Sequence, residues 1–330
     1  MHHRYVSRVI EGYFRCPFPF TVITSALSEE FAIEVGGHHA AITLPSADGV
    51  TPDHIALTEP DWFYREAEVP QSRLAGVDPF WGTAALWRAD NTPFAVHIDR
   101  FRLCIEVDSD GAGSSRVARE VAEAMPAWWL TVGGWVEVLY EQDLSRLGPV
   151  DPGVHFNGTT LWTKLDHVDE GLSRVDSTLG RYNMIRYTPV DAAGLRRCIA
   201  LGQKSGRPPD EWLVIRDARS FFNGYDFRRA VLDAGLAAEL AVTRLITARL
   251  TQDGLDDAAI EQTLSDNRML GRLCRYWISR GGPLPDDYYD RLIARRNAAT
   301  HQGAVIRRDD ARDAIDVATL IVRQALPLPD

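Results

Sequence analysis

The texture of the chain changes near residue 206, and that change constrains the fold more than any other feature. Before it, runs rich in β-branched and aromatic residues at 18–24, 31–35, 40–44, 94–107 and 135–140 are interrupted by turn residues. After it, apolar residues recur at helical spacing almost unbroken to Leu326. A period of two places side chains on the two faces of a strand, whereas a spacing of three and four gathers them on one face of a helix. The two parts therefore call for different architectures, and Gly206-Arg207-Pro208-Pro209-Asp210 is the natural joint between them. The expected fold class is α+β. A mixed α/β domain over 1–207, whose family the sequence does not disclose, precedes an all-α antiparallel helical bundle over 208–330.

Within the front part, the spacing predicts a helix over 114–129, closed by Pro126 and the Gly133-Gly134 pair, and another over 190–201 with Asp191 near its start. Residues 45–93, rich in Pro, Asp and Gly and carrying Trp62, Trp81 and Trp87, form a long excursion with no assignable motif. The back part reads as helices over 210–222, 227–250, 256–279, 285–301 and 309–325. Asp226 and Asp309 sit where N-caps belong, the Asn223-Gly224 pair ends one helix, and Gly303 follows another.

Charge and cysteine usage narrow the function classes. With 46 acidic and 36 basic residues, the net charge is −10, so the whole molecule does not attract polyanions at long range. A nucleic-acid contact must be local. Lys164 and Lys204 are the only lysines, leaving arginine, whose planar fork suits phosphate, as the main cation. The four cysteines, Cys16, Cys104, Cys198 and Cys274, are scattered without metal-ligand or disulfide-framework spacing. No apolar run reaches the roughly 20 residues of a membrane span, and no basic-then-apolar signal opens the chain. The expectation is a cytoplasmic protein with no membrane partner.

The most informative stretch is Arg295-Arg296-Asn297-Ala298-Ala299-Thr300-His301-Gln302-Gly303, at the end of the fourth predicted helix of the bundle. An Arg followed by Asn, a short spacer and His, late in a helical bundle, resembles the signature of the HEPN family (higher eukaryotes and prokaryotes nucleotide-binding). The segment from Tyr225 through Leu240 is similar to the first long helix of such domains, and the resemblance covers about residues 208–330. It implies an all-α domain that pairs with a second copy to join two Arg/His motifs in one cleft, where many members cleave RNA without a metal. The implied site is catalytic Arg296, Asn297 and His301, with Glu239 resembling the acidic residue that some members place on the facing helix. The implied function is a metal-independent endoribonuclease working as a homodimer, in stress or phage defence, with no cofactor. The alternative is a non-catalytic nucleotide-binding or dimerisation module. RNA carries its own nucleophile, so such an enzyme needs a group that exchanges a proton near neutral pH and a cation against the phosphorane charge.

Helical geometry tests this reading. At about 100° per residue, Asn297 and His301 share a face, while Arg296 and His301 stand about 140° apart. Arg291, Arg295 and Arg307 are rival substrate-phosphate contacts beside the motif. A histidine at a helix C-terminus also serves simply as a favourable charge against the dipole. Elsewhere the signals are plainer. His2-His3 and His38-His39 lack ligand spacing, and adjacent strand residues point to opposite faces. Asp99, Glu106, Asp108 and Asp110 read as a charged strand edge. Trp128, Trp129 and Trp135 read as core or interface aromatics.

Overall fold

The computed structural model describes residues 8–27, 29–61, 81–107, 111–149, 162–164, 172–174, 188–301 and 304–329. His2-His3, Trp62, Asp108, Asp110, Gln302 and Gly303 of the sequence expectations lie outside them. The architecture is α+β: an antiparallel sheet region comes first and a helical region last. The chain divides into two compact units, one made of Met1–Leu144 with Tyr187–Pro208, the other of Ser145–Arg186 with Pro209–Asp330. The segment before residue 187 thus belongs with the helices, a placement that sequence texture does not signal.

In the first unit, the strands are β1 (Arg8–Ile23), β2 (Glu30–Val35), β3 (His38–Thr43), β4 (Gly82–Trp87) and β5 (Pro93–Val107). Strand β5 is the spine. It pairs with β1 along one edge and with β4 and then β3 along the other, and β2 extends the sheet beyond β3. The β1 register shifts between Arg15 and Phe20, across Pro17 and Pro19, because proline has no N–H to give the ladder. In β2 the pattern is strictly exposed then buried, with Phe31, Ile33 and Val35 inside, as its sequence alternation requires.

Helix α1 (Gly111–Tyr140) covers the sheet with Val117, Val121, Met125, Trp129 and Val132 buried in one core with the strands. Trp129 rests against Phe20 and Phe101, with ring centroids 5.0 and 5.7 Å away. This helix overturns two expectations: it does not close at Pro126, and the expected strand over 135–140 is its last turns. Pro126 is exposed, so its missing N–H falls on the solvent side, while Val132 to Val138 are buried on every face. Burial all round erases the helical period and leaves an apolar, β-branched run that reads as a strand. Trp135 donates its indole N–H to the Gly206 carbonyl at 2.8 Å, which fixes it as a core residue. Helix α2 (Ala192–Ser205) starts where expected, with the Asp191 carboxylate accepting from the Gly194 N–H at 2.7 Å.

The second unit holds the short antiparallel pair β6 (Trp162–Lys164) and β7 (Leu172–Arg174). It also holds helices α3 (Asp210–Asn223), α4 (Phe227–Gln252), α5 (Asp257–Asp266), α6 (Leu270–Ser279), α7 (Ala294–His301) and α8 (Arg308–Ala325). The Leu147 N–H donates to the Ser220 hydroxyl at 2.7 Å. Beside it Gly148 and Gly224 approach so closely that a Cβ on either would lie 2.3 Å from the Cα of the other. The expected single helix over 256–279 is two. Asn267 ends the first, turning its side-chain amide back onto the Thr263 carbonyl at 2.9 Å, a local bond that competes with helix propagation. The expected 285–301 helix starts later, as one π turn (Tyr289–Ile293) that runs directly into α7. Asp309 lies inside the first turn of α8 rather than at its cap, and Asp310 accepts from the Arg307 N–H at 3.3 Å.

Candidate functional site

Three elements of the helical unit bring the site together: α4 supplies Gly235 and Glu239, α6 supplies Arg272, Cys274 and Arg275, and the π turn with α7 supplies Tyr289, Arg296, Asn297 and His301. Gly235 permits the close approach. A Cβ there would lie 2.8 Å from Cγ of Arg296, so the arginine stem crosses α4 over the glycine. One turn on, the Glu239 carboxylate lies 3.9 Å from the Arg296 guanidinium, an attraction without a hydrogen bond. Burial raises the Glu239 carboxyl above the ordinary carboxylate range, and Arg296 pulls it the other way. Beneath them Cys274 is fully buried, its thiol pushed up to about 12 by burial first and by the Glu239 charge second.

A cavity of about 260 Å³ opens beside this pair, lined by Arg272, Arg275, Tyr289, Ile293, Arg296 and Asn297 together with the first residues of α6. Arg272 and Arg275 are exposed, and neither forms an ion pair with a described carboxylate. Arg275 instead donates to the Gly271 carbonyl at 3.2 Å, lying back along its own helix. The start of α6 has no side-chain cap and no acidic residue in its first turn. The cavity is therefore strongly electropositive in a molecule of net charge −10.

His301 ends α7 and is exposed, with no hydrogen bond or ion pair to another described residue. The helix end that carries it is tethered, since Arg228 donates to the Ala299 carbonyl at 2.9 Å. Asn297, one turn before His301, lines the cavity. Arg296 turns the other way, toward Gly235 and Glu239. The structure thus joins Arg296 and Asn297 on the wall of one cavity, with Glu239 close to Arg296, and leaves His301 at its own helix end, about 6 Å further along the axis than Asn297.

The rival arginines are engaged elsewhere. Arg291 donates to Asp287 at 2.7 Å and to Asp313 at 2.8 Å, and Arg295 pairs with Asp310 at 3.1 Å. Arg307 is the N-cap residue of α8. The other two arginines that line the cavity beside Arg296, Arg272 and Arg275, escape a reading of the sequence. Their only signal is the spacing Arg268, Arg272, Arg275 on one helical face, hidden inside what reads as a longer helix.

In the sheet unit, His38 bonds Glu120 at 2.8 Å while His39 is exposed. Among the described residues, no group of three or more His, Cys, Asp or Glu is arranged to hold a metal ion, and no helix is long and apolar enough to cross a membrane. A second cavity, about 280 Å³, lies among β2, α1 and α2, lined mainly by Val35, Gly36, Ala124, Trp128 and Val132. No family model matches the chain, and no curated protein or solved structure matches it either.

Proposed function

We propose that the helical unit is a metal-independent endoribonuclease that acts as a homodimer, with His301 of two copies sharing one phosphodiester. The observation that carries this reading is His301 itself: an exposed imidazole without a polar partner among the described residues, one turn from the asparagine that lines an arginine-rich cavity. In the proposed reaction one His301 accepts the proton of the RNA 2′-hydroxyl. The 2′-oxygen then bonds phosphorus, the bond to the 5′-oxygen breaks, and His301 of the second copy protonates the leaving oxygen. The products are a 2′,3′-cyclic phosphate and a 5′-hydroxyl. Arg296 and Asn297, at the cavity wall, stabilise charge on the phosphoryl oxygens. Leu236 and Leu240, exposed on α4 either side of Glu239, supply apolar surface for the pairing of copies.

The test is incubation of the full chain with labelled single-stranded RNA in excess EDTA, beside His301→Ala. Cleavage by the wild type that falls by about 10²-fold or more in the variant, the scale of losing a positioned acid–base group, supports the reading. No cleavage by either protein, or equal cleavage by both, removes it. A second reading, a non-catalytic nucleotide-binding module, draws on the Arg296 side chain being turned onto Glu239 and away from His301. It predicts tight nucleotide binding that His301→Ala leaves intact, with no strand scission.

A further inference from the structure

We infer that the Arg272 and Arg275 side of the cavity is a subsite for a phosphate monoester, the terminal phosphate of a nucleic-acid strand or of a free nucleotide, beside the Arg296 and Asn297 wall that contacts the internal diester being cut. The inference deepens the proposed function and, for its RNA form, rests on that reading. It starts from a charge count. Arg272, Arg275 and Arg296 bring three guanidinium groups to one cavity, and the only carboxylate paired with any of them among the described residues is Glu239, at 3.9 Å from Arg296. Two positive charges are left over. An internal phosphodiester carries one negative charge, whereas a phosphate monoester carries about −1.5 to −2 near neutrality, so the monoester is the better match. Guanidinium groups also bind its three terminal oxygens through paired N–H donors.

The geometry agrees with the charge. The uncapped start of α6, formed by Met269, Leu270 and Gly271, borders the same cavity and adds the positive end of a helix to the three side chains. Tyr289 and Met269, 57% and 48% exposed, stand on the wall as apolar surface against which a ribose or base can rest. At about 260 Å³ the cavity falls just below the usual ligand-pocket range of roughly 300–1,000 Å³, so it holds one terminal nucleotide and not a longer stretch of strand. Cleavage as proposed above leaves a cyclic diester and a hydroxyl, neither of them a monoester. The subsite therefore does not bind the enzyme's own product ends. Its ligand comes from a different class of reaction, hydrolysis or transfer that leaves a free terminal phosphate.

The experiment measures binding of the full chain to 2′-O-methyl octanucleotides, which lack the free 2′-hydroxyl and so cannot be cut. One carries a 5′-phosphate, one a 3′-phosphate and one neither, with adenosine monophosphate and adenosine as free-ligand arms. A phosphorylated end is expected to bind about tenfold or more tightly than the unphosphorylated strand, equivalent to roughly 1.4 kcal/mol. That preference should disappear in Arg272→Gln/Arg275→Gln, whose positions are exposed and whose folding is checked by its melting temperature. Adenosine monophosphate matching the phosphorylated strand, with adenosine weak, identifies a free nucleotide as the source. Equal binding with and without the phosphate, or a preference that the double variant retains, overturns the subsite. RNA cleavage that depends on His301 but shows no end preference sinks the subsite alone. An end preference without any cleavage sinks the nuclease reading alone.

Discussion

Glu239 carries the sharpest consequence at the scale of single residues. Its carboxyl is raised by burial against the opposing pull of Arg296, so in the folded state its ionised form is held at a cost. A group whose folded value is raised lends stability below its unfolded value, and that stability drains away as pH climbs through the folded value. Glu239→Gln keeps the shape and removes the titration. The melting temperature of the variant should therefore match the wild type near pH 4 and equal or exceed it at pH 7, the gap widening between them. A variant that is less stable at pH 7 than at pH 4, relative to wild type, means that the attraction to Arg296 outweighs desolvation. The arginines illustrate how far residue type alone misleads. Arg291 and Arg296 are both near the motif, yet one is held between Asp287 and Asp313 while the other meets a single distant carboxylate.

Between elements, the approach of α7 to α4 is set by a glycine. Gly235→Ala adds a methyl group that would stand 2.8 Å from Cγ of Arg296, at the base of that side chain and not its flexible end, so the Arg296 stem or α7 must shift. The gain in α4 helix propensity, up to about 1 kcal/mol, offsets part of that cost, so the melting temperature should fall only modestly. RNA cleavage or anion binding should nevertheless fall by about tenfold, the cost of misplacing one charge-assisted contact. Circular dichroism melts and the cleavage assay together check this; unchanged cleavage means that the Arg296 position is not what the cavity depends on. The same scale explains the errors of period. Helix α1 is legible in the sequence over 114–129 from Val117, Val121 and Met125, but from Val132 to Val138 it is buried on all sides, and a chain surrounded by core has no polar face to mark its turns. The break at Asn267 was hidden for the opposite reason, because α5 and α6 keep compatible spacing across it and only the Asn267 side-chain bond interrupts the ladder.

Assembly is the whole-molecule question. The proposed cleft, with one His301 from each of two copies, makes activity depend on both subunits, so His301→Ala mixed in excess and allowed to exchange with wild type should suppress cleavage well below simple dilution. Activity that scales only with the amount of wild type present rejects the shared cleft. The net charge of −10 predicts that binding relies on the few arginines of the cavity and not on a field over the entire surface. The front unit contributes a well-packed antiparallel sheet closed by α1. Residues Ser145–Arg186 precede residue 208 but belong with the helical unit, so a cut at residue 208 removes part of that unit.

By itself, the order of residues determined the α+β division, strands β2, β3 and β5 with the end of β1, the caps at Asp191 and Asp226, and the position of an Arg–Asn–His motif at a helix end. These are local matters of period, capping and turn chemistry, written within a few residues of where they act. Only the tertiary structure decided which arginines are neutralised and which face an open cavity, that Arg296 leans on Glu239 across Gly235, and that α1 runs through its proline. Each of those depends on residues tens of positions apart meeting in space, and neither charge compensation nor burial has a local period from which to read it.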